Sequence, residues 1–237
     1  MQRYFTKQKE DNYLILEESD LHHVKNVMRC QIGDQIECIY KETLYICKLE
    51  NLNQTKVKII KECSNNNEST FDVTVAIALV KEQKMDLILQ KLTELGISKI
   101  IPVAMERSIV KLDDKKFIKK KERWEKICKE AAEQSKRNKI PEITNIHTIK
   151  QLEKLTYNQK FICSTRNPQN IVNTYLQNKD QCATMIFVIG PEGGISPKEE
   201  DLLMTYGYIP ITLGNRIMRV ETAAIYIASI INFCEYS

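Results

Sequence analysis

From residue 73 onward, apolar segments of strand length alternate with segments of helical periodicity. Residues 73–80 form a nearly continuous apolar run, which is typical of a strand buried on both faces. Further segments of this kind lie at 97–103, 160–163, 185–189 and 209–213. Strands that alternate with helices pair mainly in parallel. The pattern therefore predicts an α/β domain built on a mainly parallel sheet.

The helical segments between these strands are amphipathic. The first ends at Gly96, a residue suited to the left-handed position after a helix, and its apolar face consists of Met85, Ile88, Leu89 and Leu92. The second carries an apolar stripe opposite a lysine-rich face, and the stripe consists of Phe117, Trp124, Cys128 and Ala131. A last apolar helix is predicted over about residues 221–233.

The first 63 residues have a different pattern. Short β-like segments at 35–40, 44–49 and 56–59 are separated by turn residues, which predicts a small β-barrel. The polar stretch 64–70 has no periodicity and reads as a linker. We therefore expect two domains, residues 1–68 and residues 71–237.

Composition excludes several classes of protein. With 43% hydrophobic and 28% charged residues, and no apolar run near the roughly 20 residues that a membrane helix needs, the chain is expected to be a non-membrane protein. The N-terminus lacks the apolar core of a secretory signal, so a cytoplasmic location is expected. Eight scattered cysteines without a CxxC pair predict reduced core thiols, and three histidines remote from them predict no metal site.

Positive charge is concentrated in one segment. The net charge is +4, yet residues 115–139 hold eleven lysines and arginines against four glutamates, a local charge of +7. Such a surface attracts phosphate backbones. A solvated lysine-rich face explains the same composition, so charge alone leaves both interpretations open.

A glycine-rich loop joins the strand at 185–189 to a helix. The loop is Gly190-Pro191-Glu192-Gly193-Gly194, and Ser196, Pro197 and Glu199 then supply an N-cap, a first-turn proline and a capping box. Glycines let backbone groups approach a ligand. The loop does not fit a P-loop, because Ile195-Ser196 stands where Lys-Ser/Thr is required. It does not fit a dinucleotide fingerprint either, because two of the three positions that need glycine hold Glu192 and Ile195. The loop indicates a ligand other than a nucleotide polyphosphate, or a tight turn without a ligand.

A second polar loop follows the strand at 209–213. Arg216, Arg219 and Glu221 lie beside a helix of alanine, isoleucine and small residues, so this cluster does not serve to fill a core. It indicates a second part of a site, or an ion pair at the start of a helix.

Together, residues 189–196 and 213–223 resemble the RsmE family of 16S ribosomal RNA uridine-N3 methyltransferases. The resemblance runs from end to end. Its N-terminal motifs are Arg3-Tyr4-Phe5, His22-His23-Val24 with Arg29, and Gly33-Asp34. Its C-terminal motifs are residues 91–96 (KLTELG), Pro102, Arg107-Ser108, Glu133-Gln134-Ser135 with Arg137, and Pro141.

This resemblance implies a PUA-like RNA-binding domain, followed by a SPOUT α/β domain with a deep trefoil knot that pairs into a homodimer. S-adenosylmethionine is the implied cofactor. Met218 stands where the family usually has leucine, a volume-conserving change, and Asn215 stands where it often has proline, which is expected to loosen the loop. The implied cofactor contacts are Ser164, Thr165, Gly190, Pro191, Glu192, Gly193, Gly194, Leu213, Gly214, Ile217, Met218 and Arg219.

The implied reaction is methylation of uridine N3 in 16S rRNA, with the assembled small ribosomal subunit as the favoured substrate. The attacking form of this imide is an anion, which a nearby cation stabilises. Arg219 is the predicted catalytic residue. The alternative is that it only orders the loop or pairs with Glu221. No general base is identified. RNA contacts are predicted at Arg3, Tyr4, His23, Arg29, Lys84, Lys91, Arg107, Arg123, Arg137 and Asn138.

Other functions remain open from the sequence. The chain could methylate another RNA base or site, or it could be a non-catalytic RNA-binding assembly factor. A damaged cofactor loop would favour the second alternative, and this loop is intact. A phosphohydrolase would need a metal-binding carboxylate pair or a lysine at the loop, and a DNA methyltransferase with an open sheet would carry its cofactor loop near the start of its domain.

Overall fold

A computed structural model describes residues 1–166, 170–171 and 184–236. The chain forms two compact units. The N-terminal unit comprises Met1–Glu68 and Lys129–Lys139, and the C-terminal unit comprises Ser69–Cys128 and Ile140–Ser237. The domains predicted from the sequence, 1–68 and 71–237, differ from these units in one segment. Residues 129–139, at the end of the basic helix and beyond it, group with the N-terminal unit.

The N-terminal unit is built on a six-stranded sheet with the order β1-β4-β5-β6-β3-β2. Strand β1 pairs in parallel with β4, and the other neighbours are antiparallel. A short helix α1, Glu18–His22, continues into a π-helical turn, His23–Val27. The strands are β1 Arg3–Phe5, β2 Gln8–Glu10, β3 Tyr13–Ile15, β4 Gln35–Tyr40, β5 Thr43–Lys48 and β6 Lys56–Cys63.

The predicted strands at 35–40, 44–49 and 56–59 correspond to β4, β5 and β6. Strands β1, β2 and β3 were not predicted, because three residues are too few for a period-2 pattern to stand out. Alternate residues of the sheet point into one core, which includes Tyr4, Leu14, Ile36, Cys47 and Val57.

The C-terminal unit contains a sheet in which every pairing is parallel, as predicted. The strand order is β10-β8-β7-β13-β11-β14-β12, with β9 also paired to β8. The mixed α/β class predicted from the sequence is confirmed. The strands are β7 Asp72–Ala78, β8 Lys99–Ala104, β9 Glu142–Ile143, β10 His147–Thr148, β11 Gln159–Cys163, β12 Asn170–Ile171, β13 Thr184–Ile189 and β14 Ile209–Thr212.

Two apolar layers cover the faces of this sheet because side chains alternate along each strand. Val75 and Phe187 belong to one layer, and Ala76 and Val188 belong to the other. The first layer receives α2 (Glu82–Glu94), the first part of α3 (Asp114–Gln134) and α5 (Val220–Tyr236), and the second receives α4 (Pro197–Thr205) and a 3₁₀ helix (Ile149–Lys154).

The buried faces of the amphipathic helices are the apolar faces predicted from the sequence. Met85, Ile88, Leu89 and Leu92 are fully buried in α2, and Gly96 beyond it has a φ of 87°. In α3 the predicted stripe is also buried: it consists of Phe117, Trp124, Cys128 and Ala131. The lysine-rich face of α3 therefore lies opposite its packed face, as amphipathic spacing requires.

The seven cysteines in the described part of the chain are free thiols. Cys38, Cys47 and Cys128 are buried, whereas Cys30, Cys63, Cys163 and Cys234 are partly exposed, and Cys182 lies outside the described residues. Within the ranges that the structure describes, no helix is long and apolar enough to cross a membrane, and no cluster of three His, Cys, Asp or Glu could hold a metal ion.

Candidate functional site

A cavity of about 660 Å³ lies in the C-terminal unit, where β11, β13 and β14 end side by side. Cys163, the last residue of β11, is in register with Ile189 of β13 and Ile211 of β14. The loops after these three strands form the cavity wall. Ligands of parallel α/β sheets bind at this carboxyl edge, and a cavity of this volume matches a small-molecule site.

The structure brings together eleven of the twelve residues predicted to contact the cofactor. Arg219 is the exception, since its side chain is exposed and it is not among the residues that line the cavity. The eleven lining residues are Ser164, Thr165, Gly190, Pro191, Glu192, Gly193, Gly194, Leu213, Gly214, Ile217 and Met218.

The loop 190–194 is held in a close-packed conformation that requires glycine. A Cβ atom at Gly190 would lie 2.7 Å from Cγ1 and 2.9 Å from the backbone nitrogen of Ile195. Gly194 has a φ of 72°, and its N–H donates to the carbonyl of Pro191 at 2.8 Å. The loop is therefore a defined turn that exposes backbone groups to the cavity. The predicted capping box of Ser196 and Glu199 fixes the helix that follows.

Two cationic side chains anchor this loop from other elements. Arg107 Nη1, from the segment after β8, donates to the carbonyl of Gly193 at 3.0 Å. Lys84 Nζ, from α2, donates to Glu192 Oε1 at 2.7 Å. Both residues were predicted to contact RNA, and in the structure both of them form hydrogen bonds with the loop 190–194.

The second loop turns at Gly214, which has a φ of 114°. The hydroxyl of Thr212 donates to the carbonyl of Gly214 at 3.0 Å and accepts from its N–H at 3.1 Å. Glu221, in the first turn of α5, lies 3.9 Å from Lys84 Nζ, and its Oε2 is buried without a hydrogen-bond partner in the described ranges. The ion pair between Arg219 and Glu221 that the sequence left open is not found among the described residues.

Five polar residues of the cavity wall were not among the predicted cofactor or RNA contacts, and they are Arg166, Glu200, Thr212, Asn215 and Arg216. Ser164 donates to Glu200 Oε1 at 2.6 Å, and both side chains are buried. Arg166 and Arg216 also line the cavity, and Arg166 Nη1 donates to Asp201 Oδ1 at 2.9 Å. The sequence had already placed Arg216 in the polar second loop. Arg166 lies a few residues after a predicted strand, and this position at the carboxyl edge of a parallel sheet was the signal that could have identified it.

Four of the residues predicted to contact RNA are buried in the N-terminal unit. Arg3 Nε donates to Glu37 Oε2 at 2.8 Å and its Nη1 donates to Asn138 Oδ1 at 2.9 Å, while Arg137 is paired with Glu68 at 2.5 Å. Tyr4 shares a 2.9 Å hydrogen bond with His23 Nδ1, and burial raises the pKa of Tyr4 above its ordinary value. The structure thus gives Arg3, Tyr4, Arg137 and Asn138 a packing role.

The remaining predicted RNA contacts are more accessible. Arg29 is exposed, with a φ of 53°, and His23 is half-buried. Lys91 is paired with Glu94 in α2 at 2.7 Å. Arg123 of α3 pairs with Glu82 and Asp86, two acidic residues of α2. These four residues retain atoms at the surface and remain candidates for RNA contact.

A buried charged cluster explains why residues 129–139 belong to the N-terminal unit. Lys129 Nζ lies 2.8 Å from Asp20 Oδ1, 2.9 Å from Glu17 Oε2 and 3.8 Å from Glu133 Oε1. Glu133 Oε1 also accepts from the N–H of Phe5 at 3.3 Å. Burial raises the pKa of Glu133 to about 7, and Asp20 adds to this rise while Lys129 opposes it. The sequence had left open whether the basic face of this helix binds phosphate backbones or is solvated, and it gave no indication of this internal ion pairing.

Glu133→Gln is expected to stabilise the protein at alkaline pH. A carboxyl whose pKa is higher in the folded protein destabilises it as pH rises through the interval from the unfolded to the folded pKa, here from about 4.5 to about 7. Glutamine keeps the oxygen that accepts from Phe5 and removes the charge. The free energy of unfolding should rise by about 2 kcal/mol at pH 8 and change little at pH 4.5. Urea unfolding at both pH values measures this, and an equal effect at both would contradict it.

Models of known protein families match both parts of the chain. The model of the RNA methyltransferase domain matches residues 67–232, and the model of the RNA methyltransferase PUA domain matches residues 16–62. Ribosomal RNA small subunit methyltransferase E from Bacillus subtilis (strain 168) is 37% identical over 247 residues, which cover 98% of this chain and 96% of the relative.

Two solved structures are similar over almost the whole chain. One is a ribosomal RNA small subunit methyltransferase E from Neisseria gonorrhoeae bound to S-adenosylmethionine, with 27% identity, a TM-score of 0.87, and coverage of 98% and 97% of the two chains. The other, from Legionella pneumophila, is described as a methyltransferase in complex with the bound cofactor SAM, with 29% identity, a TM-score of 0.89, and coverage of 98% and 96%. The chain therefore belongs to the RNA methyltransferase family, within the group of ribosomal RNA small subunit methyltransferases E, as its motifs predicted.

Proposed function

We propose that this protein transfers a methyl group from S-adenosylmethionine to N3 of a specific uridine in 16S rRNA, with the assembled small ribosomal subunit as substrate. The observation that carries the proposal is the cavity formed by the loops 190–194 and 213–219 at the carboxyl edge of the parallel sheet. Two similar structures bound to S-adenosylmethionine support the choice of methyl donor.

The residues of the cavity fit this cofactor. Gly190, Gly193, Gly194 and Gly214 line the cavity without a Cβ atom, so a ligand can approach the backbone of both loops closely. Aliphatic side chains supply surface for a flat heterocycle, and they are Ile189, Leu213, Ile217, Met218 and Ala223. When bound, the cofactor supplies an activated methyl group on a sulfonium.

The protein's own contribution is positioning and electrostatics. Uridine N3 must be held in line with the methyl group, with water excluded, and the anion that forms on the base must be stabilised by a cation. We assign this cation to Arg219, as proposed from the sequence. We assign Arg216, which lines the cavity three residues earlier, to a phosphate of the RNA.

We propose that positively charged side chains bind the RNA in addition to the cavity that receives the target base. The proposed contacts are Arg216 and Arg166 at the cavity, the exposed lysines of α3, and the accessible residues His23, Arg29, Lys91 and Arg123. The target base must be unstacked to reach the cavity, which favours a nucleotide in a loop or a strained helix.

Replacing Lys115, Lys116 and Lys119 by glutamine is expected to weaken RNA binding and flatten its dependence on salt. All three lysines are exposed on α3. Each phosphate contact contributes about 0.7–0.9 to the slope of log K against log salt, so the slope should fall by roughly 2 to 3. Titration of 16S rRNA at several salt concentrations measures this. Lys150→Gln with Lys154→Gln, two exposed lysines of the 3₁₀ helix, is the control, and an unchanged slope in the α3 variant would remove this helix from the interface.

The family resemblance also motivates proposals about the quaternary structure and the chain path. We propose a homodimer, and the exposed apolar residues of α5, Tyr226 (41%) and Phe233 (71%), support it. Sedimentation equilibrium showing a single chain would contradict it.

We also propose the deep trefoil knot of the SPOUT domain, which a crystal structure with an unthreaded C-terminal segment would contradict. We propose a cytoplasmic location, because the proposed substrate is ribosomal.

The proposed reaction can be tested with purified components. Incubation with S-adenosylmethionine and small subunits lacking the modification should yield one methyl group per 16S rRNA, at N3 of one uridine. Free 16S rRNA is the comparison that decides between an RNA and an assembled particle as substrate. No transfer to either substrate by a protein that binds S-adenosylmethionine would favour the alternative of a non-catalytic RNA-binding factor.

A further inference from the structure

We propose that Lys84 is a positioning residue that ties the two cofactor loops together through Glu192 and Glu221; the ligand part of this inference rests on the proposed function. Glu192 belongs to the loop 190–194, and Glu221 directly follows the second loop, in the first turn of α5. Lys84, from α2, lies between them, with its Nζ 2.7 Å from Glu192 Oε1 and 3.9 Å from Glu221 Oε2.

The charges around Lys84 indicate that its contacts with Glu192 and Glu221 stabilise the two loops. The hydrogen bond from Lys84 holds the pKa of Glu192 below its ordinary value. The side chain of Glu221 is only 15% exposed, and its Oε2 has no hydrogen-bond partner within the described part of the chain. A buried carboxylate oxygen without a partner is costly unless a cation compensates it. A single lysine therefore compensates two carboxylates, one for each loop.

Among the residues that the structure describes, no second cation forms an ion pair with Glu192 or Glu221. Arg107 is engaged with the carbonyl of Gly193. Lys81 acts on Glu192 only through space, and more weakly than Lys84. If the Lys84 charge is removed, both loops lose a common anchor and two carboxylates are left beside the cavity without their compensating cation.

These two consequences can be separated with two ligands. Loss of the anchor weakens S-adenosylmethionine and S-adenosylhomocysteine alike. Loss of the compensating charge favours the ligand with the additional positive charge, and only S-adenosylmethionine carries a sulfonium. Lys84→Met should therefore weaken S-adenosylhomocysteine by roughly tenfold and S-adenosylmethionine by a clearly smaller factor. A role confined to packing would leave the ratio of the two dissociation constants unchanged.

Calorimetric titration of the full-length protein with each ligand is the test. Lys84→Arg keeps a cation within reach of both glutamates and should restore most of the affinity. The double variant Lys84→Met with Glu192→Gln should return the ratio toward the wild-type value, because one uncompensated carboxylate is gone. Lys99→Met is the control, since Lys99 belongs to the same unit and is also paired with a glutamate, at 3.0 Å in Glu142, but Glu142 is not part of the cavity wall as Glu192 is.

The inference is overturned if Lys84→Met binds both ligands as the wild type does, or weakens both by one factor that Lys84→Arg does not restore. A double-mutant cycle of Lys84→Met and Glu192→Gln, measured by urea unfolding without ligand, tests independently whether the two side chains interact. Coupling between the two changes supports the tie, and additive effects overturn it. A wild-type protein that binds neither ligand would instead overturn the proposed function, and the ligand-free cycle would still decide whether Lys84 joins the loops.

Discussion

Gly190→Ala is expected to weaken S-adenosylmethionine binding by at least about 100-fold, which corresponds to roughly 3 kcal/mol, the upper range for an added methyl group in a packed site. The added Cβ would lie 2.9 Å from the backbone nitrogen of Ile195 and 2.7 Å from its Cγ1. Because one of these atoms belongs to the backbone, a rotamer change cannot relieve the contact. The loop itself must move, and its backbone groups then leave the cavity wall.

Calorimetry with S-adenosylmethionine measures this loss, and circular dichroism at increasing temperature shows whether the variant remains folded. Gly207→Ala is the matched control. Gly207 has a φ of 83° with no neighbouring atom within 4 Å of an added Cβ, so this variant should cost about 1 kcal/mol of stability and leave affinity unchanged. The contradicting result is a folded Gly190→Ala protein that binds S-adenosylmethionine within threefold of the wild type, where a tenfold change corresponds to about 1.4 kcal/mol. This result would show that the loop does not contact the cofactor.

Arg219→Ala is expected to lower kcat for RNA methylation by about 10²–10³-fold, the usual effect of removing one group that stabilises charge in the transition state. Cofactor affinity should change little, because Arg219 does not line the cavity. Arg219→Lys should retain part of the activity, since it keeps a positive charge. Single-turnover rates at saturating RNA and cofactor measure the chemical step directly.

Arg216→Ala is the natural comparison, because it removes the same charge from the same loop. A phosphate contact predicts a higher KM for RNA and a nearly unchanged kcat in this variant. The opposite pattern, with the kcat loss in Arg216→Ala and near wild-type turnover in Arg219→Ala, would transfer the catalytic role to Arg216, whose side chain lines the cavity.

Much of the fold follows from local patterns. The face of α2 formed by Met85 and Leu92 was predictable because helical periodicity is visible within a dozen residues. Strand–helix alternation predicted a parallel sheet, and the sheet is parallel throughout. The strand order was not predictable, because β13 lies between β7 and β11, and its pairing with β7 joins residues more than a hundred positions apart along the chain.

The same limit applies to the site. Each loop could be identified by its own glycines, but the approach of Lys84 to Glu192 joins residues 108 positions apart. Arg3, Arg137 and Lys84 were predicted to contact RNA, and the sequence alone gave no sign of their partners inside the protein. Their carboxylate partners, Glu37 and Glu68 for the two arginines, come from strands and linkers that no local pattern places beside them.

The most direct test of the central claim is mass spectrometry of 16S rRNA nucleosides and fragments from cells with and without this gene. The proposed function predicts that one N3-methyluridine, present at full stoichiometry in the parent, is absent from the deletion strain and restored by the wild-type gene but not by the Gly190→Ala variant. Identical methylation of 16S rRNA in parent and deletion strains would contradict it.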